Sequence, residues 1–100
     1  MHIIQSDLLE NGLRYSAGQP EGVCSQAMEV LSRGNEIVRV RIGGGCGGNT
    51  QGMARLSEGL TLEQAIEKLK GIDCAGRGTS CPDQLSQLFS YILVQNNQQS

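Results

Sequence analysis

Aromatic residues are scarce in this sequence: among 100 residues there are no tryptophans, one phenylalanine and two tyrosines. Aromatic side chains bury large areas of apolar surface, so a core that nearly lacks them must be built from aliphatic side chains. A small core of this kind gains stability from a crosslink or a bound metal ion. The scarcity of aromatic residues therefore favours a crosslink or a metal site as an additional source of stability.

Long hydrophobic runs and clusters of like charge are also missing. No run approaches the roughly 18 apolar residues of a membrane span, and the N-terminal MHIIQSDLLE has neither the basic region nor the cleavage site of a secretory signal. Eight Lys and Arg and ten Asp and Glu are scattered and give a net charge of -2, unlike the basic footprint of a nucleic-acid-binding protein. We therefore expect a cytoplasmic protein that binds neither nucleic acid nor membranes.

The length predicts a single domain over residues 1–100. Residues 1–12 have apolar side chains at mixed spacing, which fits either a helical turn or an edge strand. Residues 95–100 read QNNQQS and are interpreted as a polar tail.

The sequence contains four cysteines, Cys24, Cys46, Cys74 and Cys81. In a reducing compartment cysteines at this density indicate metal ligands or redox thiols more than structural disulfides. Their spacing contains no CxxC pair, so it leaves open four-cysteine metal binding, redox thiols and buried inert cysteines. The glycines of GGGCGG around Cys46 and the proline after Cys81 favour the first two, because an inert core cysteine needs neither.

The segment CAGRGTSCPD, residues 74–83, is the most informative stretch. Pro82 suits the first position of a helix, which places Cys81 at or near the N-cap. A thiol beside the free N–H groups and the positive dipole end of a helix ionises more easily, and the thiolate is the form that binds metal or attacks a disulfide. We therefore expect the chemistry of the protein in this loop.

Other polar residues near the cysteines have simpler interpretations. Asp73 and Asp83 flank the cysteines and could accept protons, although an acidic residue at a helix start usually interacts with the helix dipole. Arg77 could hold an anion or offset thiolate charge, or it could simply be solvated. His2, the only histidine, is not expected to be a ligand.

Three β-strands are predicted in the first half of the chain: Leu13–Ala17, Ala27–Ser32 and Glu36–Ile42. Arg33, Gly34 and Asn35 separate the last two and permit the left-handed conformations of a tight hairpin turn. In the third strand the apolar residues Val38, Val40 and Ile42 alternate with two arginines, Arg39 and Arg41, which is typical of a half-buried strand.

Three helices are predicted in the second half. The clearest begins at Thr61, which has Gln64 as a capping-box partner, and ends at Gly71. An earlier helix is predicted from a cap at Asn49 or Thr50 to about Ser57, and the last helix from Pro82 to about Val94. The expected buried side chains are Met53 and Leu56 in the first, Leu62, Ala65, Ile66 and Leu69 in the second, and Leu85, Leu88, Phe89, Ile92 and Leu93 in the third.

This order of elements predicts an α+β fold in which two or three helices pack on one face of a small three-stranded antiparallel sheet. In the hairpin the start of one strand lies beside the end of the next. Cys24 and Cys46 should therefore be neighbours.

The string TSCPD at Thr79–Asp83, together with GGGCGGNTQGM and EGLTLEQAIEKLKGIDC, resembles the TSCPD domain family over about Cys24 to Leu93. Members of this family occur as small stand-alone proteins and as a C-terminal module of cobalamin-dependent ribonucleotide reductases. The resemblance implies a ribonucleotide reductase as a possible partner, and at the family level the activity of a ribonucleoside-diphosphate reductase. Ribonucleotide reduction needs a large barrel with nucleotide and cobalamin sites, so we do not expect catalysis by a domain of this size alone.

The positions of three cysteines are also similar, more distantly, to those of iron-sulfur cluster scaffold proteins. This resemblance implies a scaffold-like fold and Cys24, Cys46 and Cys81 as ligands of a cluster or of zinc. Gln26 stands where the scaffolds typically carry an aspartate, and Cys74 is additional. A fourth thiolate favours permanent metal binding over cluster transfer.

Two functions are therefore predicted. The first is a non-enzymatic module in which Cys24, Cys46, Cys74 and Cys81 bind zinc or an iron-sulfur cluster. The second is a thiol redox protein in which Cys81 attacks and Cys74 resolves, like the mobile cysteine pairs that regenerate reductases.

Overall fold

The computed structural model describes residues 1–23, 25–44, 47–72 and 78–98. Four strands precede three helices, which confirms the α+β class. The elements are β1 (His2–Leu8), β2 (Leu13–Gln19), β3 (Ser25–Arg33), β4 (Glu36–Gly44), α1 (Gly47–Ser57), α2 (Leu62–Leu69) and α3 (Cys81–Gln98). The strands form one antiparallel sheet in the order β1-β2-β3-β4, so the expectation of three strands was wrong.

The additional strand is β1, which pairs with β2 so that His2 lies opposite Gln19 and Leu8 opposite Arg14. Its pairing is interrupted by a bulge between Ile3 and Gln5. Ile3 packs against the core, whereas Ile4 is exposed. The bulge explains why the apolar residues of this segment do not alternate and why the sequence pattern left its structure open.

The predicted hairpin of β3 and β4 is present, and Gly34 in its turn has φ of 56°. The strand β4 contains a bulge, because Ser32 pairs with Ile37 and Leu31 with Arg39. Val38 is left between these pairs and is 38% exposed, while Ile37 is fully buried. The expectation that Val38 shares the buried face was therefore wrong, since the extra residue changes the alternation.

The core lies between one face of the sheet and the helices. In α3 the spacing i, i+3, i+4, i+7 produces the predicted apolar stripe. All the following side chains are at most 5% exposed: Met28, Val30, Ile37 and Val40 from the sheet, Leu62 and Ala65 from α2, and Leu85, Leu88, Phe89 and Ile92 from α3. The predicted Ile66, Leu69 and Leu93 are partly buried against this cluster.

Helix α2 begins with the predicted capping box. The Thr61 hydroxyl accepts from the backbone N–H of Gln64 at 3.1 Å, and the Gln64 side chain accepts from the backbone N–H of Thr61 at 3.0 Å. Gly71 follows the helix with φ of 78°. The local capping chemistry thus predicted this helix start correctly.

Helix α1 differs from its prediction. It begins at Gly47, before the predicted caps Asn49 and Thr50, and Leu56, expected to face inward, is 79% exposed. Met53 is partly buried. The fully buried face is made of small residues, Thr50, Ala54 and Ser57, which allow the helix to lie close to β4.

Helix α3 runs to Gln98 rather than ending near Val94, because polar contacts hold its last turns on the sheet. The Asn96 side-chain amide donates to the carbonyl of Gly34 at 2.7 Å. The Asn96 carbonyl oxygen accepts from Nε of the buried Arg14 at 3.3 Å. The negative end of the helix dipole also favours a cation at this position.

No helix in the described part of the chain is long and apolar enough to cross a membrane.

Replacement of Asn96 should test this polar attachment. We expect Asn96→Ala to lower the free energy of unfolding by about 2 kcal/mol, because the buried Arg14 and the hairpin turn each lose a hydrogen-bond partner. Urea unfolding measures the change. Gln98→Ala, at an exposed position of the same helix, is the control and should change stability by less than about 0.5 kcal/mol. Equal effects of the two substitutions would contradict the assignment.

Candidate functional site

Of the four cysteines, Cys81 lies within the described residues, whereas Cys24, Cys46 and Cys74 lie outside them, as do Asp73 and Arg77. The expectation that Cys24 and Cys46 are neighbours therefore also falls outside them. Cys81 is half-buried. Its sulfur lies 3.3 Å from the hydroxyl oxygen of Ser25, the residue that follows Cys24 in the sequence.

The cap of α3 is Ser80. Its hydroxyl accepts from the backbone N–H of Asp83 at 3.1 Å, and its carbonyl accepts from the backbone N–H of Gln84 at 2.8 Å. Cys81 is therefore the first helical residue and Pro82 the second, one position later than the sequence indicated. Neither position has an intrahelical partner for its N–H, so a proline is tolerated here. The Cys81 thiol therefore lies within the first turn of α3.

Asp83 ties the loop before the helix to the end of α2. Its carboxylate accepts from the Thr79 hydroxyl at 2.6 Å, from the backbone N–H of Gly71 at 2.7 Å and from the Gln87 side chain at 3.3 Å. These donors stabilise the charged form, and the pKa of Asp83 is accordingly lowered, chiefly by the Thr79 hydroxyl and then by the Gly71 amide. Asp83 therefore acts as a structural acceptor that joins Thr79 and the end of α2 to the first turn of α3.

The two described ends around the segment 73–77 lie close together. The Ser80 hydroxyl donates to the carbonyl of Ile72 at 2.5 Å. This contact and the bond from Gly71 to Asp83 hold the end of α2 against the first turn of α3. Ile72 is two residues before Cys74 in the sequence.

The turn between β2 and β3 is held against the same helix start by Gln84. This buried side chain accepts from the backbone N–H of Glu21 at 3.1 Å and donates to the Thr79 hydroxyl at 2.9 Å. A side chain at Gly22 would contact the Thr79 methyl group at 3.4 Å. Gln84 thus places the chain just before Cys24 beside the loop that leads to Cys81.

The sheet brings the segment next to Cys46 to the same end. Ser25 on β3 pairs with Gly44 on β4, and Gly44 has φ of 78° and lies two residues before Cys46. At Gly44 an added side chain would also approach Gln26 to 3.0 Å. Described residues that flank each of the three other cysteines therefore meet near the start of α3.

Sequence reasoning missed Ser25 and Gln84 as parts of this region. Their roles come from contacts between residues far apart in the chain, for which the sequence carries no local signal. The N-cap of α3, in contrast, does have a local signal in the sequence. The spacing Ser-x-x-Asp at Ser80 and Asp83 is typical of a helix start. Applied to this stretch, it would have assigned Ser80 as the N-cap.

No group of three or more His, Cys, Asp or Glu residues that could hold a metal ion occurs within residues 1–23, 25–44, 47–72 and 78–98. His2 is exposed on β1, opposite Gln19.

The fold and the site define the class of protein. It is a small α+β domain with a four-stranded antiparallel sheet, in which a serine-capped helix begins with a cysteine against the end of the sheet. A family model, the TSCPD domain, matches residues 13–92. The chain therefore belongs to the TSCPD domain family. No curated protein and no solved structure matches it significantly.

The structure accounts for each of the five residues that give the family its name. Thr79 donates to Asp83, Ser80 caps the helix, Cys81 is its first residue, Pro82 occupies a position that needs no N–H donor, and Asp83 accepts from α2. The contacts of Thr79, Ser80 and Asp83 fix the start of α3 and with it the position of Cys81 in the chain. The motif is therefore a device that holds one cysteine at a defined place.

The charge on Asp83 should appear in the acid dependence of stability. Because the pKa of Asp83 is lower in the folded state than its usual value of 3.8, its contribution is present above that value and is lost as the pH falls through the folded pKa. We expect Asp83→Asn to lower the stability at neutral pH by about 1–2 kcal/mol and to remove this part of the acid dependence.

Thermal unfolding between pH 2 and 7 measures both effects. Glu67→Gln, an exposed acidic position on α2, is the control and should keep the neutral stability and acid dependence of the unaltered protein. A variant Asp83→Asn whose stability falls with acid as steeply as that of the unaltered protein would contradict the role assigned to this carboxylate.

Proposed function

We propose that this TSCPD domain is a metal-binding module in which Cys24, Cys46, Cys74 and Cys81 hold zinc or an iron-sulfur cluster. The domain has no catalytic activity of its own in this proposal, and the bound metal stabilises a small core that contains few aromatic side chains. The observation that carries the proposal is the 3.3 Å contact between the Cys81 sulfur and the Ser25 hydroxyl. Ser25 is the residue after Cys24. The proposed ligand Cys81 is therefore in contact with the sequence neighbour of the proposed ligand Cys24.

The other supports are the contacts of the described flanking residues. Gly44, two residues before Cys46, pairs with Ser25, and Ile72, two residues before Cys74, accepts from Ser80. Cys24 and Cys74 thus follow or precede by one or two residues a residue that contacts the start of α3, and Cys46 lies two residues from Gly44, the strand partner of Ser25. Separations of one or two residues are compatible with a shared ion, since zinc–sulfur bonds are about 2.3 Å long.

The donor set fits the proposed groups. Thiolate sulfur is the preferred ligand of structural zinc and of iron-sulfur clusters. The Ser25 hydroxyl lies within hydrogen-bond distance of the Cys81 sulfur and can donate to a metal-bound thiolate there. Bound zinc would crosslink the sheet to α3, and a cluster would in addition carry an electron.

The cellular setting of the proposal follows from the thiols. Four reduced cysteines are maintained in the cytoplasm, where we place the protein. Its partner in this proposal is a ribonucleotide reductase or another protein of nucleotide metabolism, as the family resemblance implies. Neither nucleic acid nor a membrane is needed as a partner.

Elemental analysis with an absorption spectrum, on protein purified without oxygen, tests the metal. We expect one zinc ion per chain, or iron and sulfide with visible absorption. Since metal binding would contribute to the folding free energy, removal of the metal by a chelator should lower the melting temperature markedly.

Serine substitutions test the ligands. Each of Cys24→Ser, Cys46→Ser, Cys74→Ser and Cys81→Ser should reduce both the metal content and the melting temperature. Glu67→Gln, at an exposed position of α2, keeps all four thiols and is the control, expected to retain the metal. A folded metal-free protein with four titratable thiols would overturn the proposal and favour a Cys74–Cys81 dithiol instead.

A further inference from the structure

Within the described residues, the fold covers one edge of the sheet and leaves the other open. At the β4 edge the N–H of Val40 donates to the Glu58 carboxylate at 3.1 Å. On the same edge the Ile37 N–H donates to the Leu60 carbonyl at 2.9 Å, and the Ile37 carbonyl accepts from the Gly59 N–H at 2.8 Å. Strand β1 is the opposite edge of the sheet. An open edge of this kind can pair with a further strand.

The backbone groups of β1 point alternately towards β2 and away from it. The N–H of Leu9 donates to the carbonyl of Leu13 at 2.7 Å, so the backbone of Leu9 faces β2. The pairing with β2 continues without a break from Leu8 to Gln5. The N–H and C=O groups of Leu8 and Ser6 therefore point away from β2. Within the described part of the chain, these outward groups have no hydrogen-bond partner.

Exposed apolar side chains lie along this open edge. Ile4 is 61% exposed and Leu8 is 63% exposed. The strand, HIIQSDL, has no proline and no lysine, which commonly block an exposed edge, and Asp7 is its only acidic residue. The bulge between Ile3 and Gln5 lies before the part of the strand that pairs regularly with β2. The edge is therefore regular and apolar enough to accept another strand.

The segment IQSDL of β1 is complementary to itself when two copies run antiparallel with a two-fold axis at Ser6. In that register Ile4 of each copy lies opposite Leu8 of the other, so the exposed apolar side chains form two cross-strand pairs. Gln5 lies opposite Asp7 of the second copy. The Gln5 amide donates to the Asp7 carboxylate at 2.6 Å within one chain, so the two groups are matched as donor and acceptor. No two like charges lie directly opposite each other.

We propose that the chain forms a two-fold symmetric dimer in which the open edge of β1 pairs antiparallel with the same edge of a second copy, centred on Ser6. The two four-stranded sheets then form one continuous antiparallel sheet. Because each copy uses the same surface, the contact closes at two chains. The covered β4 edges lie at both ends of the joined sheet and prevent the addition of further strands. This inference is independent of the proposed metal.

Sedimentation equilibrium of the purified full chain tests the number of copies. A thiol reductant in the buffer excludes dimers linked by disulfides. We expect a concentration-dependent equilibrium between one chain and two, with no larger species. A chain that stays monomeric at the concentration of an NMR sample, or that forms a series of larger oligomers, would overturn the proposal.

Charged substitutions on the edge test the surface. Ile4→Lys and Leu8→Lys should each weaken dimerisation about tenfold or more, because the symmetry places every substitution in the interface twice. Leu56→Lys is the matched control, since Leu56 is 79% exposed on α1, and it should leave the dimerisation constant unchanged. The melting temperature of dilute, monomeric protein shows whether each variant folds. A dimer that persists in both β1 variants, or that is weakened equally by Leu56→Lys, contradicts the assigned surface.

Amide hydrogen exchange of the unaltered protein, followed by NMR, tests the strand pairing without any substitution. The amides of Ser6 and Leu8 should exchange more slowly as the protein concentration is raised, because they form hydrogen bonds only in the dimer. The amide of Asp7 points towards β2 and is the internal control, protected at low as well as at high concentration. If Ser6 and Leu8 exchange at the same rate at both concentrations while a dimer forms, the interface lies elsewhere and the proposal is wrong.

Discussion

Burial of one stripe of α3 is the constraint on which the other elements depend. Leu85, Leu88, Phe89 and Ile92 are fully buried against the sheet and α2, and each such side chain contributes roughly 1.5–3 kcal/mol. Phe89 is the only phenylalanine of the chain. In a core made otherwise of aliphatic side chains, the position of this helix decides which faces of the strands must be apolar.

The two ends of α3 are attached by polar contacts rather than by further apolar area. At its start Ser80, Asp83 and Gln84 bind the chain near α2 and the β2–β3 turn. At its end Asn96 binds the β3–β4 turn and the buried Arg14. These hydrogen bonds set the position of the helix along the sheet, which apolar contacts define less sharply because they have no direction. The family motif is one of these attachments.

Local periodicity and capping chemistry predicted much of the fold. They did not predict the features that depend on contacts between distant parts of the chain. The stripe of α3 and the capping box of α2 follow from spacing and from two neighbouring side chains. The bulge at Val38 and the strand β1 do not, because each depends on which partner strand the segment meets. The buried face of α1 was also not predicted. Hydrophobicity indicated Leu56 as a buried residue, whereas the helix lies close to β4 and buries the small residues Thr50, Ala54 and Ser57. In the site, Pro82 indicated the place of Cys81 within one residue, whereas nothing in the sequence pointed to Ser25 or Gln84.

The place of α3 in chain order has a consequence for biosynthesis. The strands are synthesised before α3, and Met28 and Val30 on their apolar face belong to the buried cluster that the last helix completes. Contacts such as those between Arg14 and Asn96 join distant parts of the sequence, and such contacts slow folding because a long loop must close before they form. Until α3 has been synthesised this part of the sheet lacks its cover, so interrupted translation or a lost last helix would expose apolar surface and favour aggregation.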